Sequence, residues 1–180
     1  NQALIEPMDP ARKRAMFDEL VRIGFKEIEV GFPSASKADY DFVRDIIESD
    51  SIPEDVTIQV LTQAREDLIR RTFESARGAR RVIFHFYHAT APVMRDVVLK
   101  MSRAEVIERL AVHHARLIRV LSRESPQTEW VFEYSPEMFP STEIDLSVEI
   151  VNAVTQVWEP TPEAKCIINL PSTVECCTPA

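Results

Sequence analysis

Apolar positions along the chain follow two periods in turn. After Asp9-Pro10, a cap followed by proline at the first helical position, Met16, Phe17, Leu20, Val21 and Ile23 recur at helical spacing until Gly24 ends the run. Lys26-Glu27-Ile28-Glu29-Val30-Gly31 then alternates as a strand does, closed by Phe32-Pro33. The cycle repeats, predicting helices over 38–48, 65–76, 103–123 and 143–158, with strands over 56–62, 81–87, 129–134 and 166–170. A longer connection over 91–100 precedes the third of these helices, and Glu159-Pro160-Thr161-Pro162 punctuates the approach to the last strand. Short strands alternating with helices imply βα units and a parallel sheet.

The fold class is therefore α/β. A nucleotide-binding doubly wound unit needs a glycine-rich first turn, which three scattered glycines cannot supply. A complete (β/α)8 TIM barrel typically takes about 250 residues. About five strands in 180 residues fit an incomplete (β/α)8 barrel, and no composition break marks a second domain.

Parity along each strand then sorts the side chains. Ile28 and Val30 oppose Glu27 and Glu29, Ile58 and Val60 oppose Gln59, and Phe84 and Phe86 oppose His85 and Tyr87. Phe132 and Tyr134 oppose Glu133 and Ser135, and Ile168 and Leu170 oppose Asn169. One face of every strand suits a layer of helices. The other carries a polar residue, Glu29, Gln59, His85, Glu133 or Asn169, and in a barrel that face is the interior. Polar groups there are costly unless paired or ligand-bound, so the row reads either as a satisfied hydrogen-bond network or as a site. Hydroxyls and carboxylates follow where the strands stop, in Ser135-Pro136-Glu137 and Pro171-Ser172-Thr173-Val174-Glu175. His88, His113 and His114 are weaker candidates; the last two are adjacent on a helix and cannot face one ligand together.

Composition narrows the chemistry. Apolar residues at 45% and charged residues at 28% describe a chain able to bury a core. A formal net charge of −8 argues against nucleic acid or anionic lipid as a partner, and no apolar run is long enough for a membrane span. Cys166, Cys176 and Cys177 lack C-x-x-C spacing and read as free thiols in a reducing, cytoplasmic setting. No G-x-S-x-G, H-E-x-x-H or P-loop lysine is present. One well-placed histidine with several carboxylates does not complete a metal site, although such donors suit Zn²⁺, Mn²⁺ or Mg²⁺.

Several segments together resemble the catalytic barrel of the 2-isopropylmalate synthase family, in particular its long, actinobacterial-type form. They are Asn1-Gln2 followed by ten residues and Lys13; Glu27-Ile28-Glu29-Val30-Gly31-Phe32-Pro33; His85-Phe86-Tyr87; Phe132-Glu133-Tyr134-Ser135-Pro136-Glu137; and Asn169-Leu170-Pro171-Ser172-Thr173-Val174-Glu175. The similarity runs over essentially all 180 residues. It implies an acetyl-CoA-dependent acyltransferase that condenses acetyl-CoA with 2-oxoisovalerate, giving 2-isopropylmalate and CoA at the first committed step of leucine biosynthesis. A divalent metal (Zn, Mg or Mn) would polarise the oxo acid.

Carried over by residue, the resemblance places Gln2 beside the metal and His85, Ser135 and Thr173 against the oxo acid. Glu137 falls at the reacting end, positioning a catalytic histidine, and Glu29 and Asn169 line the pocket. The family's metal ligands, an Arg-Asp-Gly aspartate and a later His-x-His pair, are not among these residues, so the chain alone is expected to be inactive. The first strand, the last two strands and a C-terminal regulatory domain are likewise expected outside it, and the parent is expected to be a homodimer. The nearest alternative is a homocitrate or citramalate synthase-like enzyme using another 2-oxo acid. An alternative of a different class is a non-catalytic barrel scaffold.

Overall fold

The computed structural model describes residues 4–173. Five strands, β1 (Glu27–Gly31), β2 (Thr57–Gln63), β3 (Arg81–Ala89), β4 (Glu129–Glu137) and β5 (Ile167–Ile168), form one sheet. Every pair is parallel and the spatial order is the chain order. A doubly wound sheet reverses its order at a switch point, whereas a barrel does not. The arrangement is that of a partial (β/α)8 barrel.

Helix α1 (Pro10–Ile23) starts and stops as its sequence dictates. The Asp9 carboxylate accepts from the Arg12 N–H at 2.8 Å, and Gly24 closes the helix at φ 108°. Helix α2 (Lys37–Glu48) is capped by Ser36 and α3 (Glu66–Ser75) follows β2. The stretch expected to be one helix over 103–123 is composite. A short α4 (Arg103–Glu105), opened by a Ser102/Glu105 capping box, leads into a π-helical Val106–Val112 and then α5 (His113–Ser122). A second π-helical turn, Met94–Leu99, occupies the connection after β3. Such widened turns are rare, and no apolar periodicity announces them. Helix α6 (Ile144–Trp158) completes the outer layer. Among the described residues no helix is long and apolar enough to cross a membrane.

The core lies between sheet and helices and is made by the strand faces that parity selected. Ile28, Val30, Ile58, Val60, Phe84, Phe86 and Tyr134 are buried against Phe17, Val43, Ile46, Ile69, Phe73, Ile118, Leu146, Ile150 and Val154. Phe73 stacks on Phe84 at 4.1 Å between ring centroids, and Trp130 tilts onto Phe73 at 4.8 Å. The opposite face starts on an apolar floor, with Ile83 in register with Val131, and turns polar toward the C-terminal strand ends.

Two details position those ends. The register slips between Glu29 and Gly31, where Gly31 takes φ 124°, so β1 bends as it leaves the sheet. Strand β4 runs on through Ser135-Pro136-Glu137, which the sequence had suggested as a loop. Pro136 is tolerated there because β5 pairs only with Glu133 and Tyr134 and needs no donor from Pro136. Strand β5 is correspondingly shorter than the expected 166–170.

Candidate active site

The polar row converges on β3 and β4. His85 and Glu133 are register partners, each 6% exposed, and Ser135 is 1% exposed. Gln59 Nε2 donates to Glu29 Oε2 at 3.2 Å and lies 3.3 Å from His85 Nδ1. His85 Nε2 lies 2.6 Å from Ser135 Oγ, which also accepts from Asn169 Nδ2 at 2.8 Å. Five side chains from five successive strands or strand ends thus form one hydrogen-bonded chain. It does not follow the register, since Gln59 is opposite Ile83 and Ser135 opposite Tyr87. The Gln59–His85 and His85–Ser135 links each climb one inward-facing position toward the C-terminal rim, where barrel sites are built.

A second cluster lies at that rim. Thr173 Oγ1 donates to Glu137 Oε1, and Thr90 holds the Glu137 carbonyl from both its N–H (3.0 Å) and its hydroxyl (3.1 Å). Thr90 in turn contacts the Thr142 hydroxyl at 2.8 Å. Tyr87, beside Ser135 on the same face, has its hydroxyl pKa raised by burial and by the Glu137 charge. Parity had put Tyr87 on this face, but nothing local distinguished it from a core aromatic.

Burial sets the electrostatics. It lowers the His85 pKa to about 4, so the ring is neutral at physiological pH. The same desolvation, with the nearby charges of Glu29 and Glu27, raises Glu133 to about 7. Glu29 is also raised by burial, against the opposing hydrogen bond from Gln59. Glu133 Oε1 stands 3.6 Å from His85 Nδ1, beyond hydrogen-bond length. The Ser135 and Tyr87 hydroxyls and the Asn169 amide, held in place by the neutral imidazole and Gln59, can grip a ligand carrying carbonyl or carboxylate oxygens.

Of the expected site residues, the structure brings Glu29, His85, Ser135 and Asn169 into the first cluster and Glu137 and Thr173 into the second. Gln2 and Glu175 lie outside the described residues, as do Cys176 and Cys177. Cys166 is free and half-buried. His88 is buried on the helix-facing side, where its Nε2 meets the Tyr134 hydroxyl at 2.9 Å. His114 is buried against the Leu110 carbonyl at 2.8 Å, and His113 is exposed. These three histidines stand apart from the site.

Lys13, noticed only as part of a signature, has a structural role. It is buried, pairs with Asp39 and lies over the Phe42 ring, tying α1 to the start of α2. Its partner is far away in sequence, so no local pattern marks it.

The donor set does not fit a metal by itself. Among the described residues no group of three or more His, Cys, Asp or Glu side chains could hold a metal ion. Both nitrogens of His85 are already engaged by Gln59 and Ser135.

Comparison with known proteins agrees with this architecture. A family model described as HMGL-like matches residues 1–180. Over 179 residues, 99% of this chain, identity is 59% to a 2-isopropylmalate synthase of Ralstonia nicotianae and 59% to one of Corynebacterium glutamicum. It is 57% to one of Azotobacter vinelandii. The matched stretch is 31%, 29% and 32% of those proteins, so the chain spans about a third of their length. A parallel sheet in barrel order, a polar cluster at its C-terminal rim and a match over every residue lead to one conclusion: this chain belongs to the HMGL-like family.

Proposed function

We propose that these residues form part of the condensing barrel of a 2-isopropylmalate synthase. That enzyme joins the methyl carbon of acetyl-CoA to the ketone carbon of 2-oxoisovalerate, and hydrolysis of the thioester then releases CoA and 2-isopropylmalate. The observation that carries the reading is the His85–Ser135–Asn169 cluster, held at the barrel rim in a chain 59% identical to such synthases.

In this reading Ser135 and Asn169 bind and orient the oxo acid through its oxygens, and the neutral His85 beside the site holds the Ser135 hydroxyl in place. Thr173 and Thr90 fix Glu137 at the reacting end, where its carboxylate holds or positions a proton carrier. Tyr87 and the buried Glu133 line the interior. The divalent metal would supply Lewis-acid polarisation of the ketone. Since the described residues do not assemble its ligands, no step here passes through it. Acetyl-CoA would be the co-substrate, a homodimer the working form, and the cytoplasm the location.

The test is CoA release by the full-length enzyme, followed as free thiol, with 2-oxoisovalerate, 2-oxoglutarate and pyruvate compared side by side. The expected result is the highest kcat/KM with 2-oxoisovalerate. Preference for either other acid would move the assignment to a homocitrate or citramalate synthase-like reaction. Absence of turnover with all three would favour a scaffold.

A further inference from the structure

The direction of each hydrogen bond in the inner row follows from donor chemistry. Gln59 Nε2 lies 3.2 Å from a Glu29 carboxylate oxygen, and that oxygen accepts. The amide nitrogen must therefore face Glu29. Its second proton is directed to His85 Nδ1 at 3.3 Å. A ring nitrogen that accepts carries no proton, so in the neutral imidazole the proton sits on Nε2. Nε2 then donates to Ser135 Oγ at 2.6 Å, and Asn169 Nδ2 donates to the same oxygen at 2.8 Å. A hydroxyl oxygen has two lone pairs, and both are filled. Neither partner can take the Ser135 proton.

We propose that Gln59 is a positioning residue: it fixes His85 as the Nε2–H tautomer and so makes Ser135 a donor to an acceptor oxygen of the bound ligand. The proposal rests on the function above, where that ligand is a 2-oxo acid with carboxylate and ketone oxygens. Gln59 touches neither. It acts through two intervening side chains, from a strand whose register partner in β3 is Ile83 and not His85.

The other charged groups leave this direction intact. Glu133, the carboxyl nearest Nδ1, is 3.6 Å away, too far to draw the proton across. Its burial also favours the neutral acid, a weaker acceptor than the carboxylate. Glu29 is screened from the ring by Gln59 itself.

Gln59→Glu is nearly isosteric and reverses the polarity, because a carboxylate beside Nδ1 accepts where the amide donated. In the full-length protein labelled with ¹⁵N-histidine, long-range ¹H–¹⁵N spectra identify which His85 nitrogen carries the proton, with His85→Gln supplying the assignment. The expected result is Nε2–H in the parent and Nδ1–H in Gln59→Glu. In the same variant KM for 2-oxoisovalerate should rise about tenfold with kcat nearly unchanged, as expected for one lost hydrogen bond to a charged ligand. In a Ser135→Ala background Gln59→Glu should raise KM no further, since the effect passes through Ser135.

Nδ1–H in the parent, or a tautomer unmoved by the substitution, overturns the proposal. So does a KM effect of equal size in the Ser135→Ala background. If Gln59→Glu does not fold, Gln59→Met removes the donor without adding charge and should give a mixture of tautomers; retention of Nε2–H alone would overturn the proposal. The tautomer is read without turnover. Expected tautomers in an enzyme that ignores 2-oxoisovalerate would count against the function and leave the role of Gln59 standing.

Discussion

His85 Nε2 and Ser135 Oγ lie 2.6 Å apart across β3 and β4 although the two residues are not register partners; His85 faces Glu133 and Ser135 faces Tyr87. The contact is diagonal, and it joins two side chains that are both almost fully buried. Removing the hydroxyl with Ser135→Ala leaves His85 and Asn169 each short of a partner. The expected cost is about 1–3 kcal/mol of stability, with weaker binding of the oxo acid. Thermal unfolding with and without 2-oxoisovalerate checks both effects, and a variant as stable and as well stabilised by ligand as the parent would refute them.

Stability should depend on pH in two opposed ways. His85 and His88 are both held at about 4 by burial, below the ordinary 6.5. Between those values the unfolded chain binds more protons, so stability falls as pH drops from about 6.5 toward 4. Glu133 is held at about 7, above its ordinary 4.5, so the folded chain binds the extra proton and stability falls as pH rises through that window. Glu133→Gln should therefore remove this opposing slope between about pH 4.5 and 7, so that stability falls more steeply as pH drops from about 6.5 toward 4.5. Denaturant midpoints across pH 5 to 8 give the answer.

The aromatic stack predicts the cost of opening the core. Phe84 is fully buried between Phe73 and Trp130, with ring centroids at 4.1 and 6.2 Å. Phe84→Ala should cost about 3–5 kcal/mol, since close-packed neighbours only partly fill the space. Phe84→Leu should cost clearly less. Urea unfolding followed through tryptophan fluorescence would rank the two, and equal losses would argue for a loosely packed layer.

Lys13 should matter to the fold and not to the chemistry. Lys13→Met takes the cation from Asp39, which keeps the Ser36 hydroxyl at 2.6 Å, and the loss of this charged hydrogen bond should cost about 1.5–3 kcal/mol. Adding Asp39→Asn should recover part of that loss. KM for the oxo acid should stay at the parent value in any variant that folds.

Much of this was readable from alternation alone. Strand parity separated Ile58 from Gln59 and Phe84 from His85, so the core face and the polar face followed without coordinates. The Asp9-Pro10 start and Gly24 stop of α1 were equally local. The diagonal links were not readable, because Gln59 meets His85 only through the stagger between β2 and β3. The salt bridge from Lys13 to Asp39 and the π-helical Val106–Val112 escaped for related reasons. The first depends on a distant partner, and the second keeps the apolar spacing of an ordinary helix.

The proline inside β4 carries a consequence for what can bind. Pro136 locks its own backbone torsion between Ser135 and Glu137, two residues on the same face of the strand. One strand repeat separates them, about 6.6 Å. With that torsion fixed and β3 in register alongside, the two Cα positions act as the marks of a stiff ruler. A ligand bridging the hydroxyl and the carboxylate is measured against a length set when the chain folds. Binding then orders little backbone, and a substrate shorter or longer by one carbon is met by side-chain torsions alone.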